Sequence, residues 1–384
     1  MVNANLAQVL WQSSLQDYVR AIAWLPASSK KEQDNDNTSI LAAASAAGEV
    51  VVWQGQDLIS LRSADGQWIS CLEFSADGQY LAAGGQDRQV KIWRVADLDL
   101  TADADTAKIN QPTYVINNND AWIEHLAWSP DADLLAFSQG SKIILWQISA
   151  QKQMAELDFK ASSIFDLAWH PGGMYLAASG HGGVKVWSSQ NWQEPDYVLQ
   201  VPGASLSCAW TADGAYLASG NLDRTLSVLK WQSPPPWLMQ GFPGKVQHLA
   251  WSMVNPPTKP PMIAAACIDG ITIWQQHDPS AAWQSQVLEK HEGFVQAIAF
   301  QPHTNHLAST ATDGDVYLWQ NAQKSRQLYT GLKDGCACLA WEHQGQRLAI
   351  GGRSGELIVL SLLNRELEPG QDKGKLKRTK RGFA

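Results

Sequence analysis

Eight short segments of this chain end in an aromatic residue, and the positions three residues before those aromatics hold Ala21, Cys71, His125, Asp166, Ser207, His248, Ala297 and Cys338. Histidine, cysteine and aspartate are zinc-ligand types, so His125, Asp166 and His248 are the residues to weigh as a metal or small-ligand site. The spacing argues against an ion. Only His125 and Asp166 fall on neighbouring segments, ligands must converge to about 2 Å from one centre, and there is no C-x2-C pair. A hydrogen bond between His125 and Asp166 is expected, with no bound metal or cofactor. No G-x-S-x-G, H-E-x-x-H, phosphate-loop or dinucleotide motif is present, and no carboxylate pair is marked out by its surroundings. The chain is therefore not expected to be an enzyme. Cys336 and Cys338 read as small buried hydrophobes on one strand face rather than as a redox pair.

The chain has 384 residues and a net charge of −8, from 29 Lys and Arg against 37 Asp and Glu. Charge is unevenly spread. Residues 371–384, QDKGKLKRTKRGFA, hold six Lys and Arg and one Asp, leaving 23 basic against 36 acidic residues elsewhere, a balance of −13. This basic tail is too polar to fold alone and is expected to be disordered. Its Lys373–Arg381 stretch could touch RNA or an anionic membrane, at about 1 kcal/mol per charge for a membrane surface. Only Phe383 offers a ring for base stacking, and no DNA contact is expected. The N-terminus lacks the basic start and apolar core of a secretion signal, and no run reaches the ~18 apolar residues of a membrane helix. Five cysteines form no disulfide framework. These features point to the cytoplasm.

The elements that must position such residues are repeats. Nineteen tryptophans against eight Phe and eight Tyr suggest one structural position filled many times. A first series closes segments of the form x-A-W: Trp24, Phe74, Trp128, Trp169, Trp210, Trp251, Phe300 and Trp341. A second series closes a β-branched segment 18 to 29 residues later: Trp53, Trp93, Trp146, Trp187, Leu229, Trp274, Trp319 and Leu360. Its members stand 40 to 53 residues apart. Units of this length with four strands fit propeller blades rather than helical solenoids. Each unit reads as an alternating strand such as WISCLEF (68–74), a turn such as Ser75–Gly78, and a small-residue strand such as LAAGG (81–85). A second turn, a strand such as VKIW (90–93) and an outer strand such as Tyr114–Ile116 complete it. No helical period is sustained, so the fold class is all-β.

The segments SADGQYLAAGGQDRQVKIW (75–93) and HEGFVQAIAFQPHTNHLASTATDGDVYLW (291–319) resemble WD40 (WD-repeat) β-propeller repeats, and the resemblance runs from about residue 6 to 363. The Trp-Asp dipeptide is absent and the Gly-His signature is mostly gone. The resemblance implies one propeller over residues 1–370 with four-stranded blades. The repeat count gives eight; seven, the family's commonest number, would follow if the irregular Leu229 copy were dissolved. The last unit ends at LIVLSLL (357–363), and the family closes its ring with an N-terminal strand, here LAQVLW (6–11). His291, Ser309 (or Thr310), Asp313 and Trp319 match the family's hydrogen-bond relay, which stiffens one blade while the others do without it. The implied function is a non-catalytic scaffold that docks one or more proteins.

Residues 27–39, 96–112 and 254–261, with Pro234–Pro236, break the period and read as loops on one face. On the opposite face, six residues before the x-A-W aromatics, stand Tyr18, Trp68 and Trp122 in consecutive units, and Phe294 two units before them. Aromatic residues and arginine are the usual interface anchors, and the resemblance puts these positions on the family's partner-contacting rim. Tyr18, Trp68, Trp122 and Phe294 are the expected contacts, with Arg88 assisting. Two alternatives stand beside this: a metal- or small-ligand-binding propeller using His125, Asp166 and His248, and an adaptor tethered to RNA or membrane through the tail.

Overall fold

The second repeat shows how local sequence becomes structure. Its strands Ile69–Phe74, Tyr80–Gly85, Gln89–Arg94 and Tyr114–Asn117 pair antiparallel in chain order. Between the first two, Asp77 accepts from the Ser75 hydroxyl at 2.6 Å and the Gln79 amide at 3.0 Å, and Gly78 takes a φ of +70° to reverse the chain. The small residues of the second strand are required by close neighbours. A Cβ on Gly84 would fall 2.5 Å from Ile123, and one on Gly85 would overlap the Trp68 carbonyl.

The same unit recurs through the chain in this computed structural model, which describes residues 1–27, 39–55, 57–98, 111–117, 120–160, 162–253, 261–268, 270–276 and 281–363. The first strands of the eight repeats stand side by side in a closed circuit, with Cys336–Trp341 returning to Val19–Trp24. Among the described residues, the eight repeats occupy seven hydrogen-bonded sheets, six of four strands and one of six. In the six-stranded sheet, Tyr175–Ser188 carries both the second and third strands of repeat four, and Tyr197–Trp210 carries its outer strand and the first strand of repeat five. The Leu229 copy is therefore not dissolved; it shares a continuous strand with its neighbour. Closure is made by Ala7–Ser14, which pairs with Glu356–Leu362 as the missing outer strand. Beyond it, Asn3 donates to the Leu328 carbonyl at 2.9 Å, so the first residues also clasp repeat seven.

The core lies between the blades, since each buried cluster joins residues of two adjacent repeats, such as Ile143, Leu145 and Phe159 with Leu176 and Trp187. The x-A-W tryptophans staple those seams. Trp169 Nε1 donates to the Ala127 carbonyl at 3.0 Å, Trp210 to Ala168 at 3.2 Å, Trp251 to Ala209 at 3.0 Å and Trp341 to Ala299 at 3.1 Å. Trp24 closes the ring onto Ala340 at 3.0 Å, and Trp128 bonds Glu73 at 3.1 Å. Phe74 and Phe300 have no N–H for this bond. Further aromatics pack on the staples: Trp231 meets Trp210 edge-on with centroids 4.9 Å apart, and Trp192 meets Trp169 at 6.0 Å. Six staples and their covering rings account for much of the tryptophan content.

Val95–Asp97 is a short 3-10 turn, and no helix among the described residues is long and apolar enough to cross a membrane. The basic tail and most of the insertions 27–39, 96–112 and 254–261 lie outside the described residues.

Candidate partner-docking face

A shared backbone bond fixes the rim positions. In repeats one, two and seven the residue after the second strand donates its N–H to the residue six before the x-A-W aromatic: Ala46 to Tyr18 at 2.8 Å, Gln86 to Trp68 at 2.9 Å and Thr312 to Phe294 at 3.0 Å. Each side chain is thus held just before its strand enters the sheet. Trp122 is placed differently. Its neighbour Ile123, fully buried, donates to the Gly85 carbonyl at 3.0 Å and anchors the segment against repeat two. Trp68, Trp122 and Phe294 are 45%, 54% and 60% exposed, which is unusual for large apolar rings. Tyr18 is half-buried and Arg88 exposed.

Trp68 and Trp122 face a common cleft of about 420 Å³, whose walls also include Arg20, Gln86, His125 and Asp166. Arg88 flanks Trp122 in an adjoining hollow with Gln67 and Asp120. Phe294 stands apart, because repeat eight, lying between it and Tyr18, has Gly335 at the equivalent position. The sequence reading missed Arg20. In repeat one the pairing slips between Val19 and Ala21, leaving Arg20 as the extra residue of a β-bulge. Its guanidinium carbon stands 5.7 Å from the Tyr18 ring centroid and 5.4 Å from that of Trp68. Arg353 covers Tyr18 at 5.8 Å. Simple alternation gives no hint of a bulge, which is why strand periodicity did not point to Arg20.

The channel residues do not assemble as a metal site. Among the described residues, no group of three His, Cys, Asp or Glu side chains is placed to hold an ion. Nor is the expected His125–Asp166 hydrogen bond formed. Asp166 turns toward repeat five, where it accepts the Cys208 amide at 3.0 Å, and it also accepts the Leu167 amide at 2.9 Å. His125 and Asp166 share the cleft of the tryptophans, whereas His248 lines a neighbouring one of about 190 Å³ that also meets Asp166. Burial, with the Arg20 charge adding to it, lowers the His125 pKa to about 4, and burial alone lowers His248 to about 4. Both imidazoles are neutral at physiological pH. Burial raises Asp166 to about 6 and Glu73 to about 8, each opposed by an amide that bonds the carboxylate.

Cys336 and Cys338 correct another expectation. A bulge between them sends the thiols to opposite neighbours, Cys336 toward Asp315 and Cys338 toward Val19, so they do not share a face. Burial pushes both thiols up to about 12, the state of inert core residues.

His291, Ser309, Asp313 and Trp319 form one hydrogen-bond chain. Trp319 Nε1 donates to Ser309 at 2.8 Å, His291 Nε2 meets the same hydroxyl at 2.8 Å, and His291 Nδ1 meets Asp313 at 3.0 Å. Other blades have substitutes. In repeat two, Arg62 and Lys91 hold the turn carboxylate of Asp87. In repeat five, Ser205, Ser219, Asn221, Thr225 and Ser227 make a buried hydroxyl–amide network.

Comparison with known proteins bears on the fold. The profile of the family described as WD40 (WD domain, G-beta repeat) matches residues 55–94, 151–188, 196–229 and 283–320. The chain is 26% identical over 187 residues to small ribosomal subunit protein RACK1y of Oryza sativa subsp. japonica, covering 46% of this chain and 49% of that protein. It is 25% identical over 200 residues to anaphase-promoting complex subunit cdc20 of Dictyostelium discoideum, covering 50% and 37%. It is 24% identical over 380 residues to telomerase protein component 1 of Rattus norvegicus, covering 94% of this chain and 12% of that one. The aligned parts thus span half or less of these relatives.

Proposed function

This chain is a β-propeller of WD40 repeats, and we propose that it is a non-catalytic scaffold that docks protein partners on the face bearing Tyr18, Trp68 and Trp122, with Arg88 beside them and Phe294 as an outlying contact. The observation that carries this reading is the pair of exposed indoles on one cleft. Trp68 and Trp122 are each about half exposed in a chain whose other tryptophans are mostly packed into blade seams. Burying two such rings against a partner removes a large apolar area from water, and rigid aromatic side chains lose little rotamer freedom in doing so. The relatives' names add support: one is a ribosomal subunit protein, one a subunit of the anaphase-promoting complex, and one a component of telomerase. Each is part of a larger assembly.

Affinity capture from the protein's own cells tests the reading. A partner recovered in stoichiometric amount with the wild-type chain, and lost with Trp68→Ala plus Trp122→Ala, is the expected result. Undiminished capture by a folded double variant removes this face from the function.

A further inference from the structure

Resting on the docking reading above, we infer that the partner is recognised through an acidic peptide segment, whose carboxylates pair with Arg20 and Arg353 while an apolar side chain enters the Trp68–Trp122 cleft. The argument begins with a ladder of alternating rings and cations. Arg353 lies over Tyr18, Arg20 over both Tyr18 and Trp68, and the cleft between Trp68 and Trp122 follows directly. Stacking on an aromatic face fixes a guanidinium plane while leaving its N–H edge free to donate. Both arginines are exposed, and among the described residues neither forms an ion pair with a carboxylate. Several nearby acids are engaged elsewhere, and Glu124, exposed on the wall of the same cleft, makes no ion pair with either arginine among the described residues. Asp65 and Asp87 are held by Arg62, Glu49 accepts the Gln16 amide, and Asp120 accepts from Gln139. Two exposed guanidinium groups, each set against a ring face, therefore meet solvent beside a cleft walled by two indoles, and a planar carboxylate is the group that matches them.

The rest of the molecule supports that polarity. With a net charge of −8, the chain repels acidic segments generally, so a local pair of unpaired arginines steers such a segment to one place. The cleft suits an apolar side chain better than a second carboxylate, because Glu124 and Asp166 in its lining are acids and His125 is neutral there.

The test is an oriented peptide library screened against the full chain, with a uridine homopolymer as competitor. Expected is selection of Asp or Glu beside a large apolar residue, with binding that weakens as salt rises. Arg20→Gln with Arg353→Gln should abolish the acidic preference and lower affinity at least about tenfold, and Trp68→Ala should abolish the apolar one. Absence of acidic selection, selection of basic residues, acidic selection that survives the double arginine variant, or tighter binding of the homopolymer than of any peptide overturns the inference. Matching thermal melts establish that the variants are folded. The two levels separate cleanly. If captured partners survive the arginine variants but not the tryptophan ones, the acidic chemistry is wrong and the docking face stands; if they survive both, the face itself falls.

Discussion

Arg88 holds a φ of +59°, where glycine is comfortable and a side chain is not. The same turn position is Gly48, Gly314 and Gly355 in other repeats, each at positive φ, so the fold does not ask for arginine there. Replacing it by glycine relieves local strain but adds freedom to the unfolded chain, and the two nearly cancel. Arg88→Gly should change unfolding free energy by less than about 1 kcal/mol in a urea titration, while weakening partner binding roughly fivefold. A loss of stability larger than the loss of binding would make Arg88 a structural residue. Glu73 makes a second prediction. Its folded pKa of about 8 lies above its unfolded value, so the folded state keeps a proton that the unfolded state has lost. Its contribution to stability is full below pH 4.5 and is lost as pH rises toward 8. His125 and His248, lowered to about 4, act oppositely and lose stability as pH falls from 6.5 toward 4. Glu73→Gln keeps an acceptor for the Trp128 amide, so it should raise the melting temperature at pH 8 and leave the acid side unchanged. An unaltered alkaline limb would contradict this.

Between blades, the tryptophan staple is the recurring element. Trp169→Phe keeps most of the packed ring and removes the indole bond to the Ala127 carbonyl, which keeps its ladder partner Ala136. The expected cost is about 0.5–1.5 kcal/mol by chemical denaturation, the net worth of one hydrogen bond; no measurable loss would mean that packing alone holds the seam. At this scale much of the architecture was legible. The x-A-W series marks first strands, Gly78 and its kin mark turns, and LAAGG marks the crowded second strand, because each of these signals is local. Three features were not legible, for a common reason. The bulges that extrude Arg20 and separate Cys336 from Cys338 depend on pairing register with the second strand. So does the continuity of Tyr197–Trp210 across two repeats. The turn of Asp166 toward Cys208 depends on the next blade. Relations between strands leave no mark in the periodicity of one.

As a whole molecule, the propeller is a ring whose seam is closed by Ala7–Ser14 on Glu356–Leu362. Removing residues 1–14 uncovers the edge of the last sheet and takes Trp11 from its 5.3 Å contact with Trp53. An open edge pairs with other chains, so this truncation should lower the melting temperature and form higher oligomers in light scattering. A monomeric, equally stable product would show that closure is dispensable. The ring also sets the geometry of the proposed docking, because it places Tyr18, Trp68 and Trp122 in consecutive repeats around one arc. Hydrogen exchange of the full chain, with and without a captured partner, tests that arrangement most directly. Docking on the proposed face predicts slowed exchange at residues 67–71, 86–88 and 120–126. Protection confined instead to the opposite face, at turns 129–133, 211–215 and 301–306, would contradict it.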